Sequence, residues 1–251
     1  MPSRSMDCTE AVAVIADFDL DLCSDEVIAR LAPGGPAFRA RPARRLVDEL
    51  LARIGEERLV RAQASYRCIA LRSAAGRGID LDAQQMFEPG CRLSQRSRAG
   101  FLLVAAWSLG PAVSLAVTEA FRERRAMQAL LLDEIASLLV FRLGEQLFAR
   151  IRQRLAARGL GVGRPQAPGD GQVALAAQAR LLRLAGAARI GVSLGDSGTL
   201  APLKTATALA PVGQDIRQPR QDWSCAGCAS RSSCRLRWRG WRGTGHGSRL
   251  R

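Results

Sequence analysis

Three groups of residues in this chain are of types and spacings that can do chemistry. Cys225, Cys228 and Cys234 form a C-x2-C-x5-C cluster. Thiolates two residues apart reach one metal ion from a tight turn, and zinc takes a fourth ligand, which Cys91 or His246 can supply. An iron–sulfur cluster held by three cysteines and an outside ligand fits the same spacing, as do reduced thiols in a flexible tail. The second group is the run Arg164-Pro165-Gln166-Ala167-Pro168-Gly169-Asp170. Glycine lets backbone amides approach a ligand closely, and prolines lower the entropy lost when a loop is ordered; Arg164 and Asp170 serve equally well as solvated loop charges. The third is Lys204, the one lysine in a chain that otherwise uses arginine for positive charge. A compact ammonium differs from a planar guanidinium in what it can contact.

Other chemistries are excluded or disfavoured. The single histidine, His246, lies in a Gly-rich stretch, and no Ser/His/Asp arrangement is visible, so the sequence offers no hydrolase. Net charge is +14, but nine arginines against one aspartate over 216–251 give that tail +8 and leave +6 for the rest. The tail's Arg, Trp and Gly residues are able to stack on bases and neutralise phosphates. Its composition reads better as a disordered extension, and nucleic acid is not the expected partner. The longest apolar run, Phe101 to Val117, is broken by Ser108, Gly110, Pro111 and Ser114 and is shorter than the ~20 residues of a membrane span. Acidic residues at positions 7, 10, 17 and 19 leave no export leader, and seven unevenly spaced cysteines fit a reducing compartment. A cytoplasmic protein is expected.

The elements that must position these groups follow from periodicity. Pro33 to Pro36 is a breaker cluster that ends an N-terminal lead. Ala43 to Val60 places Leu46, Leu50, Leu51 and Ile54 at helical spacing. Ser65 to Leu71 and Gly78 to Leu81 read as a β-hairpin, and FLLVAAW from Phe101 as a buried strand. Pro111 suits the first turn of a helix. Beyond it, Leu131, Ile135, Leu139, Leu143, Leu147, Ile151 and Leu155 recur every four residues, which predicts one long helix over Arg124 to Arg158 stopped by Gly159. A shorter helix is expected over 172–184, then two strands, IGVSL and TLAPLKTAT, joined by GDSG. Mixed strands and helices without a strict βαβ repeat predict an α+β fold: a twisted, mainly antiparallel sheet flanked by long helices. The domains expected are a lead over 1–36, a globular domain over 37–212 and a Cys-containing, Arg/Gly-rich tail over 213–251.

Taken in order, these landmarks resemble a known family. RPARRLVDELLARIG, SYRCIALRSAAGRGIDL, FLLVAAWSLGP, the helices from Glu119 to Arg158 and then APGDG follow one another as in small stand-alone relatives of the activation domain of vitamin B12-dependent methionine synthase. The next landmark of those relatives, IGV-x-LT-x-S…P-x-KS-x-S, stands here as Ile190-Gly191-Val192, Leu194, Ser197, Pro202, Lys204 and Thr205. A Cys-rich terminus often closes them.

The resemblance implies a protein that binds S-adenosylmethionine (AdoMet) and supports reductive remethylation of a cobalamin carried by a partner. That partner is a cobalamin-binding methionine synthase or another corrinoid protein, with a flavodoxin-like or other electron donor. It implies ligand-binding roles for Arg164, Ala167, Pro168, Gly169, Asp170, Glu145 and Lys204, with no catalytic side chain, and metal binding by Cys225, Cys228 and Cys234. The chain also departs from the pattern. The family loop reads Arg-Pro-Ala-Pro-Gly-Tyr, whereas here Gln166 is an extra residue that moves Arg164 one place upstream, and Asp170 holds the tyrosine position. The family's acidic ligand-binding residue aligns with Phe141, and Glu145 follows one helical turn later. These departures define the alternative, a non-catalytic member that binds a corrinoid protein or a metal and has lost AdoMet.

Overall fold

The computed structural model describes residues 11–31, 41–73, 79–81, 85–87, 98–170 and 173–219. Its elements run β1 (Ala13–Ile15), α1 (Ser24–Leu31), α2 (Arg41–Glu56), β2 (Gln63–Ser73), β3 (Ile79–Leu81), β4 (Gln85–Phe87), β5 (Phe101–Ser108), α3 (Ala112–Arg122), α4 (Ala126–Ala156), β6 (Gly161–Val162), α5 (Gln178–Ala185), β7 (Ser193–Leu194), β8 (Leu200–Ala201) and β9 (Thr205–Gly213). The fold is α+β. Its main sheet has the order β4-β3-β2-β5-β9-β6 with β1 added on β2, and every strand pair in it is antiparallel. Helices α1 to α4 cover one face and α5 the other.

Alternation along the strands explains the two-sided burial. On β5, Leu103, Ala105 and Trp107 join the core under α4, while Leu102, Val104 and Ala106 join the core under α5. A strand covered on both faces needs a continuous apolar run, as FLLVAAW is. On β9 the same period sends Ala208, Ala210 and Val212 to α4 and Leu209 to α5. The seven residues of the i, i+4 stripe on α4 are all buried. Burial of each such Leu or Ile side chain contributes about 1.5–3 kcal/mol.

The contact between α4 and the sheet is closest at Gly144. A Cβ there would meet Trp107 Cζ2 at 2.9 Å, so the bare backbone admits the indole. Trp107 Nε1 donates to the Val140 carbonyl at 2.9 Å, and its ring meets Phe148 edge-on, centroids 6.1 Å apart. The indole N–H is thereby satisfied inside an apolar layer.

The structure corrects several sequence expectations. Ile190 to Leu194 is not one strand: Ala187–Ile190 is a 3-10 turn, Gly191 is left-handed at φ +69°, and only Ser193–Leu194 pairs, with Leu200–Ala201. The GDSG turn does join these two strands, through Gly195 N to Thr199 O at 2.8 Å. The long strand starts later, at Thr205, because Pro202 has no N–H to give a ladder. The helix expected over 172–184 is a 3-10 turn, Leu175–Ala177, followed by α5, which Gly186 caps at φ +65°. The N-terminal lead contains β1 and α1, neither of which was expected from the sequence. Pro33 to Pro36 lies outside the described residues.

Between β1 and α1 the chain runs extended along α4. Arg142 donates to the Asp21 carbonyl, Gln146 to that of Asp19 and Arg150 to that of Asp17. Two extended residues advance about 6.7 Å and four helical residues about 6 Å, so the two periods stay nearly in step. Phe18, Leu20 and Leu22 pack inward against the α4 core, and Asp17, Asp19 and Asp21 are exposed.

Candidate functional site

The Pro/Gly loop leaves β6 and lies against the edge of β9. Gln166 and Leu209 exchange both backbone hydrogen bonds, at 2.8 and 2.9 Å, and Gly163 N donates to Pro211 O at 2.9 Å. Val162 pairs with Val212 and Gln166 with Leu209, so four steps on the loop side answer three on β9. This bulge turns the loop from the α4 face, where Val162 lies, to the α5 face of Leu209.

Asp170 closes the turn that follows. Its carboxylate accepts from Ala167 N at 3.1 Å and from Val173 N at 3.2 Å, while Asp170 N donates to Ala167 O and Gly169 N to Val173 O. Gly169 is exposed at φ +88°, a left-handed conformation that glycine adopts without strain. Arg164 is half-buried, and its guanidinium has no hydrogen bond or ion pair among the described residues. The loop therefore offers one half-buried cation. Its amides at Ala167, Gly169 and Asp170 are bonded within the turn.

Lys204 is directed elsewhere. Its ammonium lies 2.7 Å from Asp133 Oδ1 and donates to Asp133 O at 3.0 Å and to Ser137 Oγ at 2.9 Å, with 13% of the side chain exposed. Three contacts use the three N–H donors of a lysine, and all three are to α4. Its own carbonyl accepts from Leu109 N at 3.0 Å, and Ser108 Oγ accepts from Thr205 Oγ1 at 2.8 Å. Lys204 thus fastens the entry of β9 to α4. Glu145 is half-buried on α4, and Phe141 precedes it by one turn.

Residues that the sequence reading passed over lie on the α5 face. Gln178 Nε2 donates to Thr207 Oγ1 at 2.8 Å, and both residues are buried. Ser65, Ser108 and Gln166 are also buried, and these five are the buried polar residues among those described. Ser65 alternates with Ala64 and Tyr66, which belong to the α4 core, so it faces α5; Ser108 follows the same rule on β5. The signal was present in SYRCIAL and TATAL as polar residues at every second place.

Cys225, Cys228, Cys234, Cys91 and His246 lie outside the described residues, and among the described residues no group of three His, Cys, Asp or Glu is placed to hold a metal. Among the described residues, two open surface grooves run along α2. One is lined by Pro42, Arg45, Leu46 and Glu49, the other partly by Arg53, Glu57, Arg125 and Gln128. There the hydrogen bond from Arg53 holds the Glu57 carboxyl below the usual glutamate range. Neither groove includes the Pro/Gly loop.

No family model matches the chain, and no curated protein matches it. Among solved structures it is similar to the crystal structure of the MetH reactivation domain bound to AdoHcy. The TM-score is 0.60 over 82% of this chain and 80% of that one. The fold is that of the MetH reactivation domain. Identity between the two is 11%, so the likeness lies in the backbone rather than in shared side chains. Within the described residues of this reactivation-domain fold, no helix is long and apolar enough to cross a membrane.

Proposed function

We propose that the protein is a stand-alone activation component for a cobalamin-dependent methionine synthase and that it binds AdoMet at the 164–170 loop. The observation that carries this reading is the half-buried Arg164, without a hydrogen bond or ion pair among the described residues, beside a glycine turn on a reactivation-domain fold. The solved neighbour with that fold binds AdoHcy, which shares the amino acid and adenosine parts of AdoMet. A guanidinium takes a carboxylate through two parallel hydrogen bonds, so Arg164 would hold the amino acid end. The bonded turn of Ala167, Pro168, Gly169 and Asp170 would give that end a wall fixed before the ligand arrives, which lowers the cost of ordering. AdoMet supplies a transferable methyl group when bound. The chain's contribution is positioning rather than acid–base chemistry.

Calorimetric titration with AdoMet and AdoHcy tests this reading. Micromolar binding by the full chain, weakened about tenfold or more by Arg164→Ala, is expected. A methionine synthase without its own activation domain should regain turnover after oxidation when this protein, AdoMet and a flavodoxin-like reductant are added. Absence of binding would favour the second reading, a non-catalytic protein that docks on a corrinoid protein or holds a metal through Cys225, Cys228 and Cys234. The observation favouring that reading is Asp170, which ties up amides of the loop internally. Zinc and iron analysis of anaerobically purified protein tests its metal arm.

A further inference from the structure

Helix α2 carries Arg45, Glu49, Arg53 and Glu57 on one row, with the charge alternating at every fourth residue. Glu57 lies just past the helix end and keeps to its turn, since its N–H donates to Arg53 O at 3.0 Å. Residues four apart form a ridge along a helix. Beside the charged ridge runs an apolar one, Pro42, Leu46 and Leu50. The two grooves along α2 draw their walls from both ridges and share Leu46 and Glu49, so together they make one trough from Pro42 to Glu57.

The two halves of the charged row differ in what they touch. Arg53 Nε donates to Glu57 Oε1 at 2.8 Å. Arg45 and Glu49 are both exposed, and neither has a hydrogen bond or ion pair among the described residues. Arg125, across the trough, pairs with Glu123 and donates to Gln128 Oε1 at 3.0 Å. Read from its other end the row is acid, base, acid, base: every sign meets its opposite. A second α2 laid antiparallel about a two-fold axis at the centre of the row therefore sets Arg45 against Glu57 and Glu49 against Arg53 of the other copy, and symmetry gives each pair twice. A parallel copy in register would oppose like charges.

We propose that the protein forms a two-fold dimer through α2, with the charged rows of two copies side by side and Pro42 and Leu46 covered between them. Ridges of this spacing pack at about −50°, the commonest helix–helix crossing. Exposed ion pairs contribute little each; here they fix partner, direction and register. A helix of sixteen residues is about 24 Å long and offers less than the ~800 Å² per partner of a standard interface, so the dimer is weak and depends on concentration. It lies on the α4 side of the sheet and does not depend on the AdoMet reading.

Sedimentation equilibrium of the full chain across micromolar concentrations tests this, with a monomer–dimer equilibrium that added salt weakens as the expected result. Arg45→Glu and Glu57→Arg should each weaken the dimer about tenfold or more, because two-fold symmetry makes each substitution act twice. Mixing these two variants should restore association, since each then meets the opposite charge on the other, and so should the double variant Arg45→Glu/Glu57→Arg. If Glu57→Arg fails to fold for want of its bond to Arg53, Arg45→Glu carries the test alone, because it removes no contact of the folded chain. A chain that stays monomeric, a dimer that survives Arg45→Glu, as one held by the Arg-rich tail would, or a mixture that does not associate overturns the proposal.

Discussion

The two faces of the sheet are built on different principles. Under α4 the strands contribute mainly alanine, leucine and valine with one tryptophan, and the Trp107 N–H and the Tyr66 hydroxyl find partners on α4. Under α5 the apolar layer is smaller and is interrupted by Ser65, Ser108, Gln166, Gln178 and Thr207. An apolar layer gains stability from area and close packing. A layer with buried polar groups is held to a defined arrangement by having to satisfy them, and it can present the unsatisfied ones to a ligand. The larger apolar layer lies under α4, and the loop after β6, where ligand binding is proposed, is turned toward the more polar α5 face.

The largest effect should come from the α4 face. Trp107→Ala removes a buried indole from the close approach at Gly144 and should cost about 3–5 kcal/mol in urea denaturation; a loss well under that range would mean that α4 is less tightly coupled to the sheet than Gly144 implies. On the α5 face the cost should be polar in origin. Thr207→Val strands the Gln178 amide and should cost about 1–3 kcal/mol, and Gln178→Met alone should cost a similar amount. The double variant should recover most of the loss, because both partners then become apolar. Additive losses in that cycle would show that packing, not the hydrogen bond, holds α5 down. The smallest effect should belong to Lys204→Met. Its partner Asp133 is about half exposed, so solvent screens the pair and about 1 kcal/mol is expected, with AdoMet affinity unchanged. A large loss of ligand affinity in that variant would move Lys204 from the α4 face to the binding side of the comparison.

What could be read in the sequence divides along the same line. Periodicity located α2, α3, α4, the hairpin strands and β5, because a deep core imposes a regular apolar pattern and α4 repeats it seven times. The order of landmarks pointed to the fold that the solved neighbour shares. The α5 side was read less well. Short segments with positive-φ glycines, such as 186–201, owe their shape to turn geometry and to the sheet beneath them, and IGVSL looks like a strand until Gly191 bends it. The loop departures at Arg164 and Asp170 were visible as letters. That Asp170 bridges two amides, and that Lys204 spends its donors on α4, depends on contacts between residues far apart in the chain. Ser65 and Arg67 showed in the sequence only as alternation; that the Ser65 hydroxyl and the Arg67 Nε are buried without a hydrogen bond among the described residues is a property of the folded sheet.

The segment along α4 carries a consequence of its own. Arg142, Gln146 and Arg150 grip main-chain oxygens, a feature common to every amino acid, at a pitch set by the helix. The helix thus measures the segment as a ruler would, by length and not by lettering. Replacing Asp19 or Asp21 changes the writing on the exposed side and leaves the three carbonyls in place, whereas Asp17 also pairs its carboxylate with Arg150 at 2.9 Å. Adding a single residue among them turns the carbonyls out of phase with the helix and sends Phe18, Leu20 and Leu22 toward solvent. This stretch is therefore free to vary at its exposed positions 19 and 21 and fixed in the number of its residues.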